Sequence, residues 1–162
     1  MTYWALLPKT INDGAVLSAV PDSGPKAYKY KKGKSLLQDY PDRDKAIMVF
    51  DSVHYPDQSK LYDILPMLGS VIVANNKVKN VLDNMNVENI EYLPIRLWDH
   101  QKEPVSDDYY ILNPLGSVDF IDMEKSEYVM NPLNESQIDD IEDLVINIDK
   151  PPKRQNFSVP LQ

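Results

Sequence analysis

The chain has 162 residues, 43% of them hydrophobic and 26% charged, with a formal net charge of −8. That size and balance fit one globular domain with a substantial core and exclude wholesale disorder. There is no cysteine, which excludes disulfides, thiolate catalysis, thiolate zinc sites and iron–sulfur clusters, and which fits the cytosol.

The charge is uneven. The first 45 residues carry eight Lys/Arg against five Asp/Glu, and the remainder carry nine against twenty. Such a surface repels a phosphate backbone and attracts a basic partner. The opening "MTYWALLPKT" has no basic lead and its apolar run stops at Pro8, so it does not read as a signal peptide. No stretch approaches the roughly eighteen apolar residues of a membrane helix. The expectation is a cytoplasmic protein with no nucleic-acid or membrane partner. Thirteen prolines against five glycines predict many short elements joined by stiff turns.

In chain order, "TYWALLP" reads as an opening strand, and residues 9–40 are rich in turn formers, with "NDG" at 12–14 and "PDSGP" at 21–25. "KAIMVFDSV" (45–53) is a buried strand by its short apolar run. "SKLYDILPML" (59–68) has helical spacing at Leu61, Ile64, Leu65 and Leu68, with Pro66 limiting it to a turn or two. "SVIVA" is a strand that enters a helix at Asn75, an N-cap. Val78, Val81, Leu82 and Met85 form one apolar stripe, and Asn86 ends the helix in the left-handed conformation.

"IEYLPIRLWD" (90–99) alternates, with Leu93, Ile95 and Leu97 on one side and Pro94 marking an edge or bulge. "YYILN" (109–113) is a further strand, as is "SVDFIDME" (117–124), onto which "SEYVMN" (126–131) pairs back. In 134–150, Asn134 and Gln137 form a capping-box pattern, and Ile138, Ile141 and Val145 keep helical spacing. A short helix yielding to a strand is expected there. The tail from Lys150 reads as a proline-stiffened linker and one last edge strand. The predicted class is α+β: mostly antiparallel short strands with one or two packed helices, in a single domain over residues 1–162.

Catalytic signatures are missing from this pattern. His54 and His100 stand outside any metal-ligand frame and read as loop residues. No nucleophile elbow, P-loop or dinucleotide fingerprint occurs. "DNMNVENIE" lacks the central glycine of a calcium loop and fits a helix end. No cofactor or metal is expected. Asp119, Asp122 and Glu124 leave open a carboxylate-dependent hydrolase, which requires one buried acid of raised pKa; solvated faces and turn caps are the commoner use of such acids. "KAYKYKKGK" (26–34) interleaves Tyr28 and Tyr30 with five lysines. It leaves open single-stranded nucleic-acid binding, against which stand the acidic balance and the use of lysines to guard an exposed edge. Trp4 and Trp98 are large rings suited to a core or an interface, and one of Tyr109 and Tyr110 must point inward. In "SDDYY" an exposed ring beside carboxylates has the look of a protein-binding hot spot.

Taken together, "VIVANNKVKNVLDNMNVENIEYLPIRL", a polar loop and "YYILNPLGSVDFIDMEKSEY" resemble a family of bacterial immunity proteins, the myxobacterial-type immunity domain, whose members are encoded beside secreted polymorphic toxins. The resemblance is strongest over residues 70–130. Asn75 matches the helix entry and "NVENIEYLP" the following segment. Tyr109, Tyr110, Leu112 and Asn113 match a "Yy-lN" strand; Val118, Asp119, Asp122, Glu124, Lys125, Ser126 and Tyr128 match the next one. Members usually continue past a segment like "LVINIDK" into a further strand and helix, whereas this sequence ends at Gln162. The resemblance implies a non-catalytic protein that binds a cognate toxin domain. The acidic, aromatic surface of residues 98–128 is the expected contact: Trp98, Asp99, Asp107, Asp108, Tyr109, Tyr110, Asp119, Asp122 and Glu124. Glu135–Asp143 extends the acidic field.

Overall fold

The computed structural model describes residues 13–67, 71–116 and 121–147, with the side chains of 134–137 excepted. The expected strand at 2–8, Trp4 and the tail lie outside the described residues. So does all of 117–120, Asp119 included. The described residues fall into two compact units, one within 13–116 and one within 121–147.

The first unit is built on a five-stranded sheet in the order β1-β4-β5-β3-β2. Its strands are β1 (Ile47–Val49), β2 (Ile64–Leu65), β3 (Ile72–Asn75), β4 (Ile90–Trp98) and β5 (Pro104–Pro114). All neighbours are antiparallel except β1 and β4, which run parallel. β4 keeps strict alternation, burying Glu91, Leu93, Ile95 and Leu97. Pro94 lacks the N–H that a neighbour would use. The fold accommodates it by starting the β1 pairing only at Arg96 and by placing a register irregularity between Ile95 and Leu97.

One sheet face carries the core. Leu65, Val73, Leu93, Ile95, Leu97, Tyr109 and Ile111 pack against Ala15, Leu17, Tyr30 and Leu36 from the turn-rich N-terminal segment. That segment links the two sheet edges: Leu17 pairs singly with Phe50, just after β1, and with Met67, just after β2. The lysine-rich stretch forms a short 3-10 helix, Ala27–Lys31, rather than an edge strand. Tyr30 is thereby drawn into the core while Tyr28 stays outside. Buried side chains of this kind each contribute about 1.5–3 kcal/mol relative to exposure.

The opposite face holds α1 (Asn76–Asn84). Asn75 caps it as predicted, its Oδ1 accepting the N–H groups of Lys77 (3.0 Å) and Val78 (3.3 Å). Asn86 leaves it at φ 52°. No residue of α1 is buried, however. Its apolar stripe lines an open groove of about 680 Å³ with Ile64, Ile72, Ile90 and Leu112, and Val81 and Met85 remain 56% and 54% exposed. The helical turn expected over 59–68 is instead β2, whose two residues pair with β3: Leu65 faces the core and Ile64 the groove. Two adjacent apolar residues on opposite faces suit a strand; a helix would have set both near one side.

The second unit is a hairpin of β6 (Glu127–Asn131) and β7 (Asn134–Asp143). One expectation changes here. Residues 134–143 form a strand with no helix, and β6 pairs with it; the expected pairing of 126–131 onto 117–120 lies outside the described residues. The reason lies in the bulges. Tyr128 pairs with Ile141 and Met130 with Ile138, so two steps in β6 match three in β7. The extra residue gives β7 a spacing of three, which imitates a helix turn. The described end of 117–124 is a single pairing of Ile121 with Ile146 followed by a turn. Among the described residues, one α-helix with mostly antiparallel strands makes the class α+β. Among the described residues no helix is long and apolar enough to cross a membrane.

Candidate functional site

Alternation along β4 and β5 sorts the aromatic residues. Tyr109 points into the core, where its hydroxyl donates to the Tyr62 carbonyl at 2.7 Å and burial pushes its pKa up to about 12. It presents no ring at the surface. Tyr110 lies on the other face. It meets Tyr92 edge-on with centroids 6.3 Å apart, and the Arg43 guanidinium sits 5.4 Å from its ring centre. Tyr92 in turn lies beneath the Lys79 ammonium of α1 (4.7 Å). Trp98 is half-buried, also turned away from the core, and its indole N–H has no partner among the described residues. These rings and cations form a partly exposed aromatic face.

The neighbouring acids differ in their freedom. Asp99 closes the β4–β5 turn, its Oδ1 accepting the N–H groups of Gln101 and Glu103 at 2.9 Å each. Asp107 is held by Arg96: Nη2 donates to Oδ2 at 3.2 Å, and Nε lies 3.0 Å from Oδ1 but off the hydrogen-bonding line. Arg96 also reaches Asp44 at 3.3 Å. Asp108 is exposed, and no ion pair among the described residues engages it. It is the free carboxylate of the pair.

In the second unit Asp122 is a turn residue. Its carbonyl accepts the Ser126 N–H at 2.8 Å, and its carboxylate meets Lys125 at 3.0 Å with 13% of the side chain exposed. Lys125 holds its pKa below the usual value, opposite to what a hydrolase acid requires. Glu124 is exposed in the same turn. Ser126 is buried, and its hydroxyl accepts the Val145 N–H at 2.9 Å. The matched Asp122 and Ser126 thus have a structural use, fixing the turn and docking it on the end of β7.

The sequence did not point to Arg43, Tyr92 or Arg96. Tyr92 was within reach, because it alternates with Leu93 and must face away from the core. Arg43 and Arg96 owe their roles to long-range pairing, which leaves no local trace. The two histidines are loop residues: His54 Nδ1 lies 2.8 Å from Asp51, and His100 packs edge-on against Phe50. Among the described residues no group of three or more His, Asp or Glu side chains is placed to hold a metal ion.

Against this geometry, the model of the immunity protein family (Imm11) matches residues 4–154, across both compact units. The chain belongs to that family. Comparison with curated proteins gave no match. Membership in Imm11 agrees with the resemblance carried by "NVENIEYLP", "YYILN" and the Asp122–Tyr128 segment. It makes immunity the function class of the chain, and implies a toxin protein as partner.

Proposed function

We propose that this Imm11 protein neutralises a cognate toxin in the cytosol by binding it as one immunity domain, and that it catalyses no reaction and uses no cofactor. The family match over residues 4–154 is the observation that carries the reading. The surface chemistry supports it. Trp98 and Tyr110 provide large, partly exposed rings of the kind that anchor interfaces, and Asp108 adds an unpaired charge beside them. Asp99, Asp107 and Asp122 are engaged within the fold, so they serve the partner through their electrostatic field more than through direct contact. Asp119 and Glu124 belong to the same proposed acidic set.

The test is titration of the purified chain with the toxin domain encoded beside it. The expected result is a complex tighter than about 1 µM, with an association rate that falls as salt rises. No complex at that concentration would overturn the reading.

A further inference from the structure

The densest negative charge in the described residues sits on the β6–β7 hairpin and its turns. Residues 121–147 hold eight carboxylates and one lysine, and that lysine meets Asp122. Acids of the first unit are widely partnered: Asp13 with Lys60, Asp39 with Lys29, Asp63 with Lys77, Asp83 with Lys79, and Asp44 and Asp107 with Arg96. On the hairpin no ion pair among the described residues reaches Glu127, Asp139, Asp140, Glu142 or Asp143. Glu127 and Asp143 even stand opposite each other across the strands. Like charges in that position disfavour the hairpin itself, and the local use of these acids among the described residues is limited to Asp139 accepting from Asn131 at 3.5 Å and Asp140 accepting the Ile141 N–H at 2.9 Å.

Apolar side chains accompany this charge. Val129, Ile141 and Leu144 are exposed, and Leu133 at the hairpin turn is 95% exposed. The turn is set in advance: Asn131 Oδ1 accepts the Leu133 N–H at 2.8 Å, and Pro132 restricts its own φ. A pre-ordered apolar tip loses little freedom on binding.

The combination selects its occupant. A nucleic acid or an anionic membrane is repelled by the carboxylates, and a second copy brings the same charge. A metal ion or polyamine answers the charge and leaves Leu133 unused. A protein surface with a basic rim around an apolar socket answers both. We propose that the β6–β7 hairpin is the element that docks on the toxin, Leu133 entering the socket and the carboxylates facing the rim. The proposal rests on the immunity reading and gives it an address.

The experiment uses the full chain and the adjacent toxin domain carrying an inactivating substitution. Leu133→Asp is expected to weaken the complex about thirtyfold, mostly through faster dissociation. The combination D139N/D140N/E142Q/D143N is expected to slow association about tenfold at low salt and to flatten its salt dependence. Both variants alter exposed side chains and are expected not to lower the thermal midpoint of the parent. Unchanged affinity and rate in both would overturn the hairpin assignment while leaving the immunity reading intact. Absence of a complex with the unmodified chain would overturn both. A dimer of the free chain that Leu133→Asp dissolves would assign the tip to self-association, and overturn the proposal too.

Discussion

Glu91 and Asn113 face each other across β4 and β5, and Asn113 Nδ2 donates to Glu91 Oε2 at 2.8 Å. The same carboxylate oxygen accepts the Leu36 N–H at 3.0 Å, and the same amide donates to the Lys34 carbonyl at 3.0 Å. Two polar side chains thus tie the N-terminal segment to the middle of the sheet. Asn113 is fully buried. Asn113→Leu leaves Glu91 with one donor fewer inside the protein, and should cost about 2–3 kcal/mol in urea unfolding. A loss under ~0.5 kcal/mol would show that the network is dispensable.

A second tie lies just beyond. Gly116 N–H donates to the Gly33 carbonyl at 2.7 Å, and Gly33 sits at φ +59°. A Cβ on Gly33 would strike the Gly116 carbonyl. Gly33→Ala combines a disfavoured φ with a backbone clash and should destabilise by about 2 kcal/mol or more. An unchanged thermal midpoint would refute that account.

Asn75 ends β3 and caps α1 with one side chain, whose Nδ2 also donates to Asp63 at 2.7 Å. Asn75→Ala should lower stability by about 1–2 kcal/mol. Val81→Lys, on the exposed stripe, should change it by no more than about 0.5 kcal/mol. If the order of the two effects reversed, the stripe would be covered in solution.

The protein should lose stability at both pH extremes. Asp51 is held below its ordinary value of 3.8, chiefly by the His54 backbone N–H and then by the His54 ring. A carboxylate depressed in the folded state stabilises fully above about pH 4 and loses that contribution as pH falls through its lowered value. Tyr30 and Tyr109 are pushed up from 10.0 to about 12 by burial. Their contribution is complete below 10 and disappears as pH rises towards 12. Unfolding midpoints measured across pH should show both arms. Asp51→Asn should flatten the acid arm and Tyr109→Phe the alkaline one; parallel curves would remove these assignments.

Asp107 and Asp108 should behave differently under charge reversal. Asp107→Lys breaks the contact with Arg96, yet both partners are partly solvated, so about 1 kcal/mol or less is expected. Asp108→Lys should leave stability unchanged and slow toxin association. Equal binding rates for the parent and Asp108→Lys would take Asp108 out of the contact surface.

The helix and its cap were legible because Asn75 and the Val78–Met85 stripe act locally. β4 was legible because Leu93, Ile95 and Leu97 alternate. The hairpin was not, since a bulge gave Ile138 and Ile141 the spacing of a helix turn. The flanking "NPLN" held the contrary signal, a proline turn ready to join two strands. The tie between Glu91 and Asn113 left no such mark, because their partners Lys34 and Leu36 lie more than fifty residues earlier. For the candidate site, alternation required one of Tyr109 and Tyr110 to turn inward without saying which, and Trp98 was open between core and interface; burial decides the first and ion pairing sets the freedom of each acid. That pairing is a tertiary property.

The parallel pairing of β1 with β4 has a consequence for biosynthesis. Ile47–Val49 leaves the ribosome well before Arg96–Trp98, its strand partner among the described residues. Meanwhile Leu17, Leu36 and Met48, destined for the interior, have no sheet to cover. Such non-local closure is slow and leaves apolar surface open to wrong partners. A nascent antidote therefore passes through an interval in which it is itself in need of protection, and that interval ends only when β4 and β5 have been made.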